Sequence, residues 1–224
     1  MKTKFTPCRL TVFFIVSLIS ITIGCKKEKN EVGGNDVYNP VTGKTWMDRN
    51  LGASRAATSS TDAEAYGDLY QWGRLTDGHE KRTSDTTKTL SNSDTPGHGN
   101  FIRSHANPYD WRSPKNNNLW QGVNGTNNPC PNGYRLPTEA EWSAERQSWS
   151  SNNAAGAFAS PLKLPLTGSR DVGGGPVDFV GSSGMYWSAT VDGNFARQLN
   201  FATSFARMGS FARASGRSVR CLKD

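Results

Sequence analysis

The sequence predicts an α+β domain in which two helices accompany a small antiparallel sheet and long ordered loops. The first observation is a helix-start signal at Thr138 and Glu141. The second is a set of short segments with alternating apolar residues after residue 160. The third is the region 77–128, which is dense in Asn, Ser, Thr, Gly and Pro but carries isolated aromatic residues.

The first 24 residues have the layout of a secretory signal peptide. Lys2, Lys4 and Arg9 precede an apolar run at 10–23 that ends at Gly24-Cys25. This run is shorter than the roughly 20 residues that a helix needs to cross a hydrocarbon core. We therefore expect an exported chain, and we do not expect the run to be a permanent transmembrane helix.

Cys25 follows a small residue at the end of the apolar run, as in the bacterial lipobox, whose cysteine is lipidated and becomes the mature amino terminus. Thr22 stands where that pattern usually has Leu, and ordinary cleavage with Cys25 left as a free thiol is the alternative. An odd exposed thiol would be a redox liability in an oxidising compartment. We expect a membrane-anchored lipoprotein of the outer membrane or cell surface, with a signal peptide at 1–24, a lipidated tether at 25–36 and a folded domain at 37–224.

The charge of the chain argues against nucleic acid as a partner. The formal net charge is +7, and removal of residues 1–24, with three basic residues and no acids, lowers it to +4. No Lys/Arg block of about five to eight residues occurs, although such a block is typical of nucleic-acid-binding segments. We expect no nucleic-acid ligand.

Local signals predict the elements of the amino-terminal half. A turn-rich stretch at 39–43 lies between two short apolar segments and predicts a β-hairpin. Thr61 or Asp62 can cap a first helix that runs to Tyr70 and ends at Gly73. The long region that follows is expected to be an ordered loop, because its recurring aromatic residues favour packing over disorder.

The carboxyl-terminal half contains the second helix and the predicted sheet. Thr138 and Glu141 form a capping-box pattern, which predicts a helix from about Glu139 to Trp149. Apolar alternation predicts strands around residues 162–166, 186–188, 199–201 and 219–221. In this arrangement Leu199 and Phe201 face the core.

Two cysteines remain for the folded domain once Cys8 leaves with the signal peptide and Cys25 carries the lipid. We predict a disulfide between Cys130 and Cys221, since each has only the other as a partner in an oxidising compartment. The alternative is two unrelated buried thiols. Closing a loop of this length would contribute on the order of 4 kcal/mol in the chain-entropy model.

Several stretches resemble the Fibrobacter succinogenes major paralogous domain, and they occur in the expected order over nearly the whole mature chain. These stretches are 45–53, 66–74, 109–112, 116–120, 130–142, 186–188 and 218–221. That family is similar to C-type lectins and to formylglycine-generating enzymes. The resemblance implies a C-type-lectin-like fold and commonly a bacterial surface lipoprotein, but it implies no activity.

The sequence gives little support for catalysis or for a cofactor. Formylglycine-generating enzymes use a reactive cysteine pair near the carboxyl terminus, whereas here only Cys221 lies in that region. The Glu-Pro-Asn, Gln-Pro-Asp and Trp-Asn-Asp strings of calcium-dependent lectins are absent. His79, His98 and His105 stand singly in polar loops without ligand spacing. We expect no catalytic residue, no bound metal and no cofactor.

The tripeptide Phe-Ala-Arg occurs three times between Gly193 and Gly216, at starts too unequally spaced for a structural repeat. An ordinary hairpin would leave these positions solvated, but clustered Phe and Arg are typical of contact surfaces. We therefore predict a ligand-binding surface there, with Trp187 as a packing support. Its expected contact residues are Asn194, Phe195, Arg197, Phe205, Arg207, Phe211 and Arg213.

The same segment resembles the variable region of proteins diversified by diversity-generating retroelements, in which adenines of Asn codons are rewritten. Phe, Ala, Arg, Ser, Thr and Gly are all reachable from an AAC codon by changing its adenines alone. This hypothesis predicts a reverse transcriptase and a near-copy of the segment beside the gene.

Two functions of different classes remain open at this point. The first is a surface lipoprotein that binds an unknown protein or glycan. The second is a structural or assembly lipoprotein of the envelope without a dedicated ligand.

Overall fold

The computed structural model describes residues 36–173 and 175–224, and within them the fold is rich in sheet. Thirteen strands form four sheets in the described residues, whereas the two α-helices have nine and six residues. The expected α+β class, a C-type-lectin-like domain with two helices and a small sheet, was therefore wrong. The predicted signal peptide, Cys25 and all of the tether except Asp36 lie outside the described residues.

The elements follow one another along the chain as short strands, with the helices between the sixth and seventh of them. The strands are β1 (Asp36–Asn39), β2 (Lys44–Met47), β3 (Tyr70–Gln71), β4 (Thr86–Thr87), β5 (Phe101–Ile102), β6 (Tyr134–Arg135), β7 (Ser169–Arg170), β8 (Val177–Asp178), β9 (Ser183–Asp192), β10 (Phe195–Ala202), β11 (Phe205–Ala212), β12 (Gly216–Arg217) and β13 (Leu222–Lys223). The helices are α1 (Glu139–Gln147) and α2 (Ala154–Ala159).

Hydrogen bonding arranges the strands in orders that differ from their order in sequence. One sheet has the order β1-β2-β13-β6 and another has the order β3-β12-β7-β8. The long strands form the three-stranded sheet β11-β10-β9, and β4 pairs with β5 in parallel. The final strands β12 and β13 thus join elements from both halves of the chain.

The two predicted helices had different outcomes. Thr138 and Glu141 form the predicted capping box at the start of α1, and this prediction is confirmed. The first predicted helix is only a 3-10 turn at Ala63–Ala65, although Asp62 caps it as expected. Gly67 has φ +68°, a left-handed conformation that a helix cannot continue through.

Among the predicted strands, the hairpin at the amino end is confirmed as β1 and β2. The segments 186–188 and 199–201 lie in β9 and β10, as predicted. The prediction for 162–166 was wrong, because none of these residues joins a strand, although Leu162, Leu164 and Leu166 are buried. Alternation there reflects packing of the leucines into the core, since Lys163 has φ +47° and interrupts any extended run.

Two apolar clusters form the core, and strand β9 contributes to both. Tyr186 packs in a cluster with Trp142 of α1, whereas its neighbour Trp187 packs in a cluster with Trp111 and Trp120. Successive residues of a strand point to opposite faces, which explains this division. The long region 77–128 is packed through these tryptophans, so the expectation of an ordered loop is confirmed.

Cys130 and Cys221 form the predicted disulfide, which is confirmed. The bond joins residues 91 positions apart, with Cα atoms 5.9 Å from each other. Cys221 is fully buried beside Val219 in the second cluster, and Cys130 packs against it. The disulfide therefore fastens the segment before β6 to the segment that ends in β13.

Within residues 36–173 and 175–224, no helix has the length and apolar content required to cross a membrane.

Candidate functional site

The three Phe-Ala-Arg tripeptides lie on or beside the three-stranded sheet, and strand register sorts their side chains onto two faces. Strand β10 pairs with β11 in an unbroken antiparallel register, in which Leu199 lies opposite Met208 and Gln198 lies opposite Gly209. Directly opposed residues share a face. The face that carries Leu199 and Phe201 packs on α1 and α2, and we call it the helix face.

The opposite side of β10 and β11 is turned away from the helices, and we call it the open face. Its members alternate with those of the helix face along each strand. They are Ala196, Gln198, Asn200 and Ala202 of β10 together with Phe205, Arg207, Gly209 and Phe211 of β11. Ala196 and Gln198 are buried. The corresponding part of β9 is occupied by Trp187, which is fully buried, so its predicted role as a packing support is confirmed.

The second tripeptide places an aromatic ring and a cation side by side on the open face. The guanidinium carbon of Arg207 lies 4.8 Å from the centre of the Phe205 ring. Arg207 is exposed and forms no ion pair with any described residue. Ala206 between them points to the helix face and is buried. This pair is therefore free to contact a partner molecule.

In the third tripeptide, the Phe side chain lies at the surface and the Arg side chain lies in the interior. The Phe211 side chain is 37 % exposed, and its ring covers the guanidinium of Arg217 at 4.2 Å. Arg213, by contrast, is fully buried with its guanidinium 4.6 Å from the Trp72 ring. The prediction that Arg213 contacts a ligand was wrong, because the chain leaves β11 after Ala212 and the next side chain turns inward.

Arg213 has a structural partner in Asp110. Its Nη1 lies 3.6 Å from a carboxylate oxygen of Asp110, and both side chains are almost fully buried. Burial lowers the pKa of Arg213 and raises that of Asp110 to about 6, although each partner opposes the effect on the other. The Arg213 Nη2 also donates to the Asn117 side chain at 2.7 Å.

The first tripeptide lies on the helix face at the far end of the sheet. Phe195 is 38 % exposed, but Arg197 is engaged in an ion pair with Glu139 at the start of α1. The hydrogen bond from Arg197 to Glu139 raises the pKa of the arginine. Asn194 lies in the adjacent turn, where its side chain accepts from Lys115. The predicted contact residues therefore do not form one continuous surface.

Arg217 is a feature of the open face that the sequence interpretation missed. Its side chain is almost fully buried, and its Nε donates to the Gln198 side-chain oxygen at 2.9 Å. Among the described residues no carboxylate pairs with it, and burial lowers its pKa to about 9. It therefore keeps its charge at neutral pH. The alternation that places Phe211 and Gln198 on one face could have indicated an open face, but nothing local identified Arg217.

In the described part of the chain, one group of three residues could hold a metal ion. Side-chain ligand atoms of Asp77, His79 and Glu80 lie within 4.8 Å of one another. His79 Nε2 accepts from the Gln71 backbone N–H at 3.0 Å, and its Nδ1 contacts Asp77 at 2.7 Å.

Protein contacts already use the lone pair of the His79 ring that a metal ion would need. Burial lowers the pKa of His79, so the ring is neutral at pH 7, with Nδ1 as the donor to Asp77. The Oε2 atom of Glu80 accepts from the Gly78 backbone N–H at 2.9 Å. We interpret this group as a structural brace of the turn before β4.

Comparison of the chain with known protein families, with curated proteins and with solved structures found no match.

The arginines of the second and third tripeptides, Arg207 and Arg213, provide a matched test. It asks whether Arg213 stabilises the fold while Arg207 does not. We expect Arg213→Ala to lower the free energy of unfolding by about 3 to 5 kcal/mol at pH 8, because it leaves the Asp110 carboxylate buried and unpaired. At pH 5 the loss should be smaller, since Asp110 then takes up a proton. Arg207→Ala should leave stability close to that of the wild type. Urea denaturation followed by tryptophan fluorescence measures both variants, and equal losses would contradict the assignment.

Proposed function

We propose that the chain is an exported, membrane-anchored lipoprotein whose folded domain binds a ligand through the open face and catalyses no reaction. The observation that carries the proposal is the composition of this face. It presents two partly exposed aromatic rings and an exposed guanidinium that forms no ion pair with any described residue. The resemblance to the Fibrobacter succinogenes major paralogous domain, whose members are commonly surface lipoproteins, supports the same proposal.

The energetics of protein interfaces favour the open face over the helix face as the ligand-binding surface. Aromatic and Arg side chains carry much of the binding energy at protein interfaces. On the open face, Phe205, Phe211 and Arg207 can give such contacts without first breaking an ion pair. On the helix face, Arg197 would have to leave Glu139 before it could bind a partner. We therefore assign binding to Phe205, Arg207 and Phe211.

The buried groups support a non-catalytic role. Acid–base catalysis needs a titrating group that can reach a substrate. His79 is fully buried, and both of its ring nitrogens are engaged. Asp110, whose pKa is raised to about 6, is also buried and lies beside Arg213. Neither group is accessible to a substrate.

The retroelement hypothesis concerns exchange of side chains in this segment. In this fold, we propose that exchange is confined to the residues that point outward. Ala196, Ala206 and Ala212 are all buried, and a larger side chain there would overpack the core. The positions that tolerate exchange are those of Phe205, Arg207 and other outward residues. We propose that a near-copy of the segment beside the gene differs at those codons and retains the three alanines.

The lipid anchor can be tested separately from binding. Cells that express the full chain should incorporate labelled palmitate into it, and Cys25→Ala should abolish the label because the acceptor thiol is removed. Fractionation should then find the variant outside the membrane pellet. Equal labelling of the two proteins would contradict the anchor.

Ligand binding can be tested with peptides selected on the full chain purified in detergent. We expect a displayed random-peptide library to yield binders that lose at least about tenfold in affinity, roughly 1.4 kcal/mol, for the Phe205→Ser/Phe211→Ser variant. The reason is the loss of both aromatic anchors on the open face. Fluorescence anisotropy with labelled peptides measures the dissociation constants.

Phe195→Ser is the matched control, because Phe195 and Phe211 are almost equally exposed, at 38 % and 37 %, but lie on opposite faces. Its affinity for the selected peptides should stay within about twofold of the wild type, which is under 0.5 kcal/mol. Peptides that bind all three proteins equally would contradict the open face as the binding surface. They would favour a structural or assembly role for the lipoprotein.

A further inference from the structure

The open face contains a gap in its side chains at Gly209. A Cβ atom built on Gly209 meets no heavy atom within 4 Å. Its neighbours along β11 on the same face are Arg207 and Phe211, and Gln198 lies opposite on β10. The missing side chain therefore leaves open space between an exposed cation and a half-exposed ring, and we call this space the recess.

The recess is bordered by two guanidinium groups that form no ion pair with a described carboxylate, although the Asp171 carboxylate attracts Arg217 at longer range. Arg217 is held at its edge, because its Nε donates to Gln198 at 2.9 Å and its guanidinium lies 4.2 Å from the Phe211 ring. The Nη1 atom of Arg217 donates to the Gly216 carbonyl at 3.2 Å, whereas Nη2 has no hydrogen-bond partner among the described residues. Arg207 adds a second cation on the other side. An anionic group is thus the complementary ligand.

Asn200 gives a second, independent indication of a polar ligand. It lies opposite Arg207 on the open face, diagonally across from Gly209. Its Oδ1 is buried and has no hydrogen-bond partner among the described residues. A buried polar atom without a partner destabilises the fold. Because an amide oxygen only accepts hydrogen bonds, a backbone N–H group of a bound protein segment could donate to it, whereas a carboxylate could not.

We infer that the recess over Gly209 receives the carboxylate of an Asp or Glu side chain on an acidic protein segment, with Arg217 and Arg207 as its cationic contacts. The inference rests on the proposed function and specifies its ligand. Guanidinium groups favour carboxylates because their N–H donors match the two oxygens. Phe211 beside the recess, and Phe205 beyond Arg207, would pack against apolar residues that flank the acidic one.

Benzoate is a suitable probe because it combines a carboxylate with an apolar ring, and benzamide is its uncharged counterpart. We expect benzoate to shift the Gly209 amide and Arg217 Nε–H resonances of the full chain in detergent, in a saturable manner. Benzamide should produce no such shifts at the same concentrations. Equal shifts with benzamide would overturn the inference, and so would tighter binding of inorganic phosphate, which would indicate a general anion site.

Gly209→Val is the decisive variant, because it fills the recess without removing any charge. Val suits a strand, and its Cβ atom would meet no heavy atom within 4 Å, so we expect the melting temperature not to fall. Benzoate affinity should decrease at least tenfold. Gly175→Val is the matched control, since Gly175 also has open space around its Cβ position but lies outside the sheet. Unchanged benzoate affinity in Gly209→Val would overturn the inference.

Different experimental results would contradict the inference and the proposed function. Selected peptides that depend on Phe205 and Phe211 but lack Asp and Glu, and that bind Gly209→Val normally, would overturn the carboxylate recess while leaving the binding face intact. Peptides that ignore Phe205 and Phe211 would contradict the proposed function itself, whatever the result with benzoate.

Discussion

Three tryptophan side chains hold the irregular part of the chain to strand β9 through hydrogen bonds to backbone carbonyls. Trp72 donates to the Ser188 carbonyl at 2.9 Å, and Trp142 donates to the Trp187 carbonyl at 3.0 Å. Trp187 in turn donates to the Tyr70 carbonyl at 2.8 Å. Each bond satisfies a buried N–H group that would otherwise destabilise the fold by about 1–3 kcal/mol. The loops and α1 are thus positioned against β9 by side chains as much as by strand pairing.

This arrangement leaves one side of β10 and β11 available for contact. Helix α1 covers their helix face, and the tryptophan cluster covers β9 and the part of β10 where Ala196 and Gln198 are buried, so the uncovered part of the opposite side lies mainly on β11. The buried guanidinium of Arg217 then lies between that cluster and the surface, under Phe211. Side chains on a strand can be exchanged without loss of the fold when the residues beneath the strand are tightly packed. The exchanged side chains must also make few contacts within the chain.

The sequence predicted the local features well and their spatial arrangement less well. The capping box of α1 and the hairpin of β1 and β2 follow from short-range rules, so they were predictable. The first helix was not, because Gly67 has a left-handed conformation and lies so close to the Leu51 carbonyl that a Cβ atom would clash with it. The identical Phe-Ala-Arg tripeptides have three different environments, since register and strand ends decide where each Arg points. Composition could therefore indicate a binding surface, but it could not separate Arg207 from Arg213.

The central claim is that the open face of β10 and β11 is the binding surface and the helix face is structural. The most direct test is a structure of the full chain in complex with a selected peptide, by crystallography or by intermolecular nuclear Overhauser effects. The account predicts peptide contacts to Phe205, Arg207 and Phe211, with an unchanged ion pair between Arg197 and Glu139. A peptide bound beside Phe195, or one that separates Arg197 from Glu139, would contradict it.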